Sequence, residues 1–192
     1  MKKKLLFLLL LVSGWMFSAC SGGQKAAQNC QVKASVGFTE YTVACLLDKD
    51  GEVIDSLTLK DGFLTFTRTD TAQMPYVAFI SLKSPSDAMD GAEMPIVVER
   101  GNVNVEIGEY ITTSGTSLNV RLQQFLNGLQ ATSDALHQAK SHAEEIRRTF
   151  SEFYRQQILG NQDNVLGDFI YQHYGLHLNE ADAAWVKAQL GN

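Results

Sequence analysis

The sequence has little of the material from which reactive sites are built. It holds three cysteines and four histidines among 192 residues. No Cys-x-x-Cys pair, no Gly-rich phosphate loop and no nucleophile with a base at motif spacing occurs in it. The tyrosines and tryptophans are scattered rather than grouped on a sugar-binding face. We therefore predict a protein that is not an enzyme, with no catalytic residue and no cofactor.

The histidines do not predict a metal site. His173 and His177 are four residues apart, which suits two ligands on one helix. Gly175 lies between them and favours a helix end, so that geometry is not expected. Aspartates such as Asp48 fall in predicted turns, where turn chemistry explains them. Calcium bound on such a loop is the less favoured alternative.

Positive charge is also scarce. The chain has 16 basic and 21 acidic residues, and its formal net charge is −5. Residues 1–19 contain three lysines and no acid, so their removal makes the net charge −8. An acidic surface argues against nucleic acid as a partner and against binding to anionic lipid head groups.

The first twenty residues have the pattern of an export signal. Lysines at residues 2–4 precede an apolar run at residues 5–12, which is much shorter than the ~20 residues of a membrane-spanning helix. Small residues Ser18 and Ala19 stand immediately before Cys20, and this ending resembles the lipobox of bacterial lipoproteins. We predict a lipoprotein signal peptide at residues 1–19 and lipidation of Cys20. The alternative is an ordinary cleaved signal with an incidental cysteine.

Lipidation would make the lipid bilayer a partner of this protein. One acyl chain binds a membrane only marginally, but the three chains of a bacterial lipoprotein should anchor the protein stably. Residues 20–29 contain no large apolar side chain and predict a flexible tether. Ser21 and Gly22 are unlike the aspartate-type retention signal, so the expected location is the cell envelope, at the outer membrane.

Residues 30–115 predict an antiparallel β-sandwich of seven or eight strands. Short apolar runs with a period of two alternate with turn residues at regular spacing. The predicted strands are at residues 30–36, 41–47, 53–59, 63–67, 76–82, 96–99, 103–107 and 110–112. Together with the helical pattern that follows, this predicts an α+β fold.

The first two predicted strands suggest a disulfide. If they form a hairpin with Cys30 opposite Cys45, then Val32 lies opposite Val43 and their apolar faces coincide. Directly opposed residues on neighbouring strands are close enough to be bridged, and an exported protein meets oxidising conditions. We predict a Cys30–Cys45 disulfide, and two free buried cysteines are the alternative.

Several turn and core motifs resemble a lipoprotein domain family. Residues 50–56 (Asp-Gly-Glu-Val-Ile-Asp-Ser) and 61–66 (Asp-Gly-Phe-Leu-Thr-Phe) are similar to the core of the domain-of-unknown-function family numbered 4369. Residues 98–105 are similar to its next hairpin, and residues 115–119 (Gly-Thr-Ser-Leu-Asn) to the segment that opens its helix. The resemblance covers roughly residues 30–160.

The resemblance implies a β-sandwich in the cell envelope. Members of that family often carry the domain ahead of a thioredoxin-like disulfide reductase domain. The present sequence has no Cys-x-x-Cys motif, so we expect no thioredoxin part and no redox activity of that kind.

Residues 116–192 have a helical period. Apolar or small residues follow one another at steps of four and three over residues 118–153, which is a heptad spacing. The pattern is compatible with a coiled coil that pairs two chains. Because the middle of the stripe is small at Thr132 and Ala139, we favour helices that pack on the sandwich. Further helices are predicted after Asn164 and Asn179, each with the asparagine as N-cap, and Ser117 is the predicted cap of the first.

Two functions remain open at this point. The first is a membrane-anchored, non-enzymatic binding or interaction module for an unknown envelope protein or small ligand. The second is an auxiliary part of an envelope thiol–disulfide system, suggested by the resemblance and by Cys30 and Cys45. No residue identifies the ligand.

Overall fold

Eight strands form two four-stranded sheets in the computed structural model, which describes residues 29–70, 72–84 and 91–191. The strands are β1 (Cys30–Val36), β2 (Val43–Leu47), β3 (Val53–Thr58), β4 (Phe63–Arg68), β5 (Tyr76–Lys83), β6 (Gly91–Val98), β7 (Gly101–Ile107) and β8 (Ile111–Ser114). β6 begins at Gly91, which is earlier than the predicted start of this strand at residue 96.

The two sheets lie face to face. The order of strands in the first sheet is β4-β1-β7-β8, and in the second it is β3-β2-β5-β6. All neighbouring strands are antiparallel except β1 and β7, which run parallel. Between β1 and β7, the chain forms β4 of the first sheet and all four strands of the second sheet. It then returns to the first sheet as β7, which lies beside β1 and runs parallel to it. The predicted α+β fold with a sandwich is confirmed.

The sandwich core consists of the inward residues of both sheets. Along β1, Val32 and Ala34 are buried and the residues between them are not, as period-two alternation predicts. The same holds in β4 for Leu64 and Phe66. β5 pairs on both sides and is a central strand of the second sheet.

Four helices follow the sandwich as a third layer. They are α1 (Ser117–Gln138), α2 (Ala143–Gly160), α3 (Val165–Tyr174) and α4 (Glu180–Leu190), with a 3-10 turn at Gly175–His177. A second apolar cluster joins them to the outer face of the second sheet through Val97 and Phe79, against Leu122 and Phe169. Among the described helices, none is both long and apolar enough to span a bilayer.

Helix α1 covers one edge of each sheet, β8 in the first and β6 in the second. The buried Asn119 side chain accepts a hydrogen bond from Val97 N (2.9 Å) and donates one to Val97 O (2.7 Å) on the edge strand β6. One turn later, Gln123 Oε1 accepts from Thr113 N on the edge strand β8 at 2.6 Å. Edge strands carry backbone groups that no neighbouring strand pairs. The two side chains satisfy such groups at Val97 and at Thr113.

The start of α1 differs from the prediction. Ser117 is the first helical residue, the N-cap is Thr116, and neither provides a side-chain cap. The Glu99 carboxylate accepts from the backbone N–H of Leu118 at 2.7 Å and of Asn119 at 3.3 Å. A negative group at a helix N-terminus is favourable, so this helix is capped by a residue that precedes Leu118 by 19 positions. The predicted caps Asn164 and Asn179 are confirmed.

The heptad stripe is divided between two helices. Helix α1 ends at Gln138, Lys140 has a positive φ of 53°, and α2 begins at Ala143. The stripe residues Leu122 and Phe125 are buried inside the same chain. In the last helix, Val186 is buried, whereas Trp185 is 46% exposed and lies under the Arg155 guanidinium.

The predicted Cys30–Cys45 hairpin and disulfide are wrong. β1 pairs with β4 and β7, whereas β2 pairs with β3 and β5, so the two cysteines belong to different sheets. Ala44 and Leu46 enter the sandwich core, and Cys45 between them therefore points to the outer face of its sheet. Cys30 points into the core. Both cysteines are free and buried.

The predicted signal peptide at residues 1–19, the lipidation site Cys20 and all of the tether except Asn29 lie outside the described residues. Asn29 O accepts a hydrogen bond from Gly101 N at 3.0 Å, beside the start of β1. The described chain thus enters the sandwich at one end, next to the beginning of β7. We call this the N-terminal end of the sandwich.

Candidate functional site

A cleft of about 410 Å³ lies between the sandwich and helix α3. Its size is within the range of small-ligand sites, roughly 300–1,000 Å³. The cleft is lined by the turn after β2, Ile54 of β3, the end of β4 and the loop after it, the first half of β5 and one side of α3. Cys30 pairs with Arg68 across β1 and β4, so the cleft is at the N-terminal end of the sandwich.

The polar side of the cleft is a triad of Arg68, Asp70 and Tyr76. Arg68 contacts the Asp70 carboxylate through Nη2 (3.1 Å) and Nε (3.2 Å), a two-point ion pair. The Tyr76 hydroxyl donates to Asp70 Oδ2 at 3.2 Å. Hydrogen bonding to Arg68 lowers the pKa of Asp70, and burial raises the pKa of Tyr76. Asp70 is therefore ionised and oriented on two sides.

The turn after β2 forms the upper rim. Asp48 Oδ1 accepts hydrogen bonds from the backbone N–H groups of Asp50 and Glu52, both at 2.9 Å. This arrangement is an Asx-type turn, in which the carboxylate organises the loop. Lys49 pairs with Asp50 at 2.6 Å, but both side chains are 65% exposed, so the pair contributes little stability.

The opposite wall is aromatic and apolar. Phe79 of β5 lies 6.2 Å from Phe169 and 5.7 Å from His173, measured between ring centroids. Phe169 and His173 are 4.5 Å apart, and His173 Nδ1 is 3.0 Å from the Phe169 carbonyl oxygen. Val77 and Val165 extend this wall. The cleft therefore combines a rigid apolar surface with a polar rim, the usual composition of a binding site.

Asp70 of the cleft is held by two partners, and no cysteine, serine or threonine lines the cleft. The Cys30 thiol lies behind it in the core, where burial raises its pKa and keeps it protonated. Within the described ranges, no group of three histidine, cysteine or acidic side chains is arranged to hold a metal.

A second, larger groove of about 1110 Å³ runs along α2 and the 3-10 turn. Arg147 and Arg148 lie on one side of it, with Glu144 and Glu145 beside them, so its charges balance. Leu176 in this groove is 94% exposed. Because its charges balance, this groove does not indicate the charge of a ligand. The smaller cleft, with its ion pair and aromatic wall, is the stronger candidate for a binding site.

The predicted site residues are placed apart. Cys30 and Cys45 do not come together, and of the two spaced histidines only His173 lines the cleft, whereas the His177 ring lies 5.9 Å from that of Tyr154. The triad was missed by sequence reasoning. Its only local signal is the Arg68-Thr69-Asp70 pair of opposite charges directly after a strand.

Comparison with known proteins gives no relative: no family model matches the chain, and no curated protein matches it. The resemblance to the family numbered 4369 therefore stays a prediction.

Replacing Asp70 with asparagine should lower the free energy of unfolding by about 1 kcal/mol at about pH 7, because Arg68 loses its ionic partner. The lowered pKa of Asp70 means that its contribution is present above the ordinary aspartate pKa and is lost as pH falls through the lowered value. The measurement is urea unfolding at about pH 7 and about pH 2, with Asp70 and with Asn at position 70, both in mature protein carrying Cys20→Ser. The difference between their free energies of unfolding should shrink in acid. A difference that is unchanged or larger in acid would contradict the ion pair.

Proposed function

We propose that this chain is a lipid-anchored, non-enzymatic binding module of the cell envelope, with its ligand site in the cleft beside α3. The observation that carries the proposal is the cleft itself: an ionised, two-point-held Asp70 faces an apolar wall of Phe79 and Phe169. A few placed polar groups opposite an apolar wall are typical of a site that binds and orients a small ligand.

The position of the cleft suits an anchored protein. The chain enters the sandwich at Cys30, directly opposite Arg68 of the cleft. An acylated Cys20 would precede Asn29 by nine residues, which span at most about 32 Å when extended. The proposed anchor would therefore hold the cleft, rather than the opposite end of the sandwich, towards the membrane. Ligands presented by the membrane or by its proteins would reach it.

The thiol–disulfide alternative gains nothing from these contacts. Cys30 and Cys45 face different layers of the fold, and each is buried. A redox thiol needs exposure and a lowered pKa, whereas burial raises the pKa of Cys30. The anchored binding module is the function that we propose.

A photo-crosslinking side chain placed in the cleft tests the site directly. Benzoylphenylalanine at Gln73, which is exposed and lines the cleft, should yield a crosslinked species in intact cells. The matched control is Thr65, an exposed position on the outer face of the first sheet. Equal crosslinking at both positions, or crosslinking at Thr65 alone, would contradict a binding site in the cleft.

A further inference from the structure

The charges around the cleft are unbalanced. Four carboxylates line it, those of Asp48, Asp50, Asp70 and Asp168, against the two cations Lys49 and Arg68. Each of the two cations is already paired with a carboxylate, Lys49 with Asp50 and Arg68 with Asp70. In the described part of the chain, Asp48 and Asp168 form no ion pair.

The two unpaired carboxylates lie on different segments that border the same space. Asp48 is on the turn after β2, and Asp168 is in the first turn of α3. Asp48 uses Oδ1 for the backbone of its own turn, and Oδ2 has no partner among the described residues. Asp168 is exposed to solvent at the cleft. Both can therefore act on a charge placed between them.

The space near these carboxylates is lined by rings and branched side chains. The partly buried side chains of Val77, Phe79 and Val165 can cover an alkyl chain, and the buried Phe169 packs behind Phe79. Aromatic faces attract cations, and carboxylates repel anions at the same distance that they attract cations.

We propose that the cleft binds an organic cation with an apolar stem, an alkylammonium or guanidinium group, with the charge near Asp48 and Asp168 and the stem on the Phe79–Phe169 wall. The inference rests on the proposed function, because it assumes that the cleft is the ligand site. The shared chemistry has two sources: a free amphiphilic amine, or a lysine or arginine side chain of a protein partner.

Amide chemical-shift titration of the full mature chain carrying Cys20→Ser tests the charge. The probes are n-hexylammonium, 1-hexanol and n-hexanoate, which share one stem and differ in charge. Hexylammonium should shift the amides of Val77 and Phe169, and hexanoate should bind about tenfold more weakly, as expected for a difference of about 1.4 kcal/mol between attraction and repulsion. Asp168→Asn should weaken hexylammonium about threefold. Glu106→Gln, on the outer face of the first sheet, should not.

The outcomes separate the claims. If hexanoate or hexanol binds as tightly as hexylammonium or more tightly, the proposal of a cationic ligand is wrong, although the cleft remains a binding site. If no probe shifts the amides of the cleft, the proposal of a cationic ligand is also wrong. The crosslinking experiment at Gln73 tests, independently of either result, whether the cleft is a binding site. Nα-acetyl-lysine amide separates the sources: shifts like those of hexylammonium indicate a basic side chain, and their absence indicates a free amine.

Discussion

Replacing Gly115 with alanine should lower the free energy of unfolding by about 4 kcal/mol, because two costs add at this position. Gly115 has a φ of 100°, a conformation that an alanine adopts only with strain. An added Cβ would also overlap the carbonyl oxygen of Asn102 and meet Asn104 Nδ2 at 3.0 Å. Backbone cannot move aside as a flexible side chain can.

The matched control is Gly51→Ala. Gly51 has a φ of 83°, but nothing lies within 4 Å of its added Cβ. That variant should therefore show the cost of the backbone conformation alone, about 1 kcal/mol. Urea unfolding of the Cys20→Ser forms measures both. Equal losses in the two variants would show that the contact with Asn102 is not the cause.

Replacing Asn119 with leucine should lower the free energy of unfolding by about 3 kcal/mol. The leucine is similar in size, but it leaves the N–H and C=O of Val97 on β6 without their partners. Asn119 is fully buried, so water cannot take its place. An unsatisfied buried polar group costs about 1–3 kcal/mol, and here there are two.

The control for this prediction is on the same helix. Gln124 is exposed, and its side chain makes no hydrogen bond in the described part of the chain. Gln124→Leu should change the free energy of unfolding by less than about 0.5 kcal/mol. Asn119→Leu should also speed the exchange of the Val97 amide hydrogen. If that amide stays as protected as before, α1 is not what closes the edge of β6.

Local patterns predicted most of the strands, because half-buried strands alternate visibly. β1 and β4 each have one buried and one solvent-facing side, so their inward residues could be read directly. β2 is different: its residues Ala44 to Leu47 are buried on both faces. When both faces of a strand are buried, the sequence does not show which face points into the sandwich core. The predicted inward face of β2 and its predicted pairing with β1 were therefore both wrong. The mistaken disulfide followed from that single error.

The cleft could not be predicted from the sequence. Arg68 ends β4 and Asp70 follows it, whereas Phe169 lies about a hundred residues later on a helix that packs against the other sheet. No spacing connects them. Similarly, Glu99 and Asn119 meet only because α1 returns across the end of the sandwich. Tertiary contacts of this kind leave no periodic signal.

The central claim is that an anchor at Cys20 holds the cleft towards the membrane, and fluorescence quenching tests it most directly. A fluorophore is attached to a cysteine introduced at Gln73 in the cleft or at Tyr110, which is 77% exposed at the opposite end of the sandwich. The protein with its native Cys20 is placed in vesicles whose lipids carry a quencher, and the Cys20→Ser variant is the control. The account predicts stronger quenching at Gln73 than at Tyr110, and none for Cys20→Ser. Equal or stronger quenching at Tyr110, or quenching that survives Cys20→Ser, would contradict it.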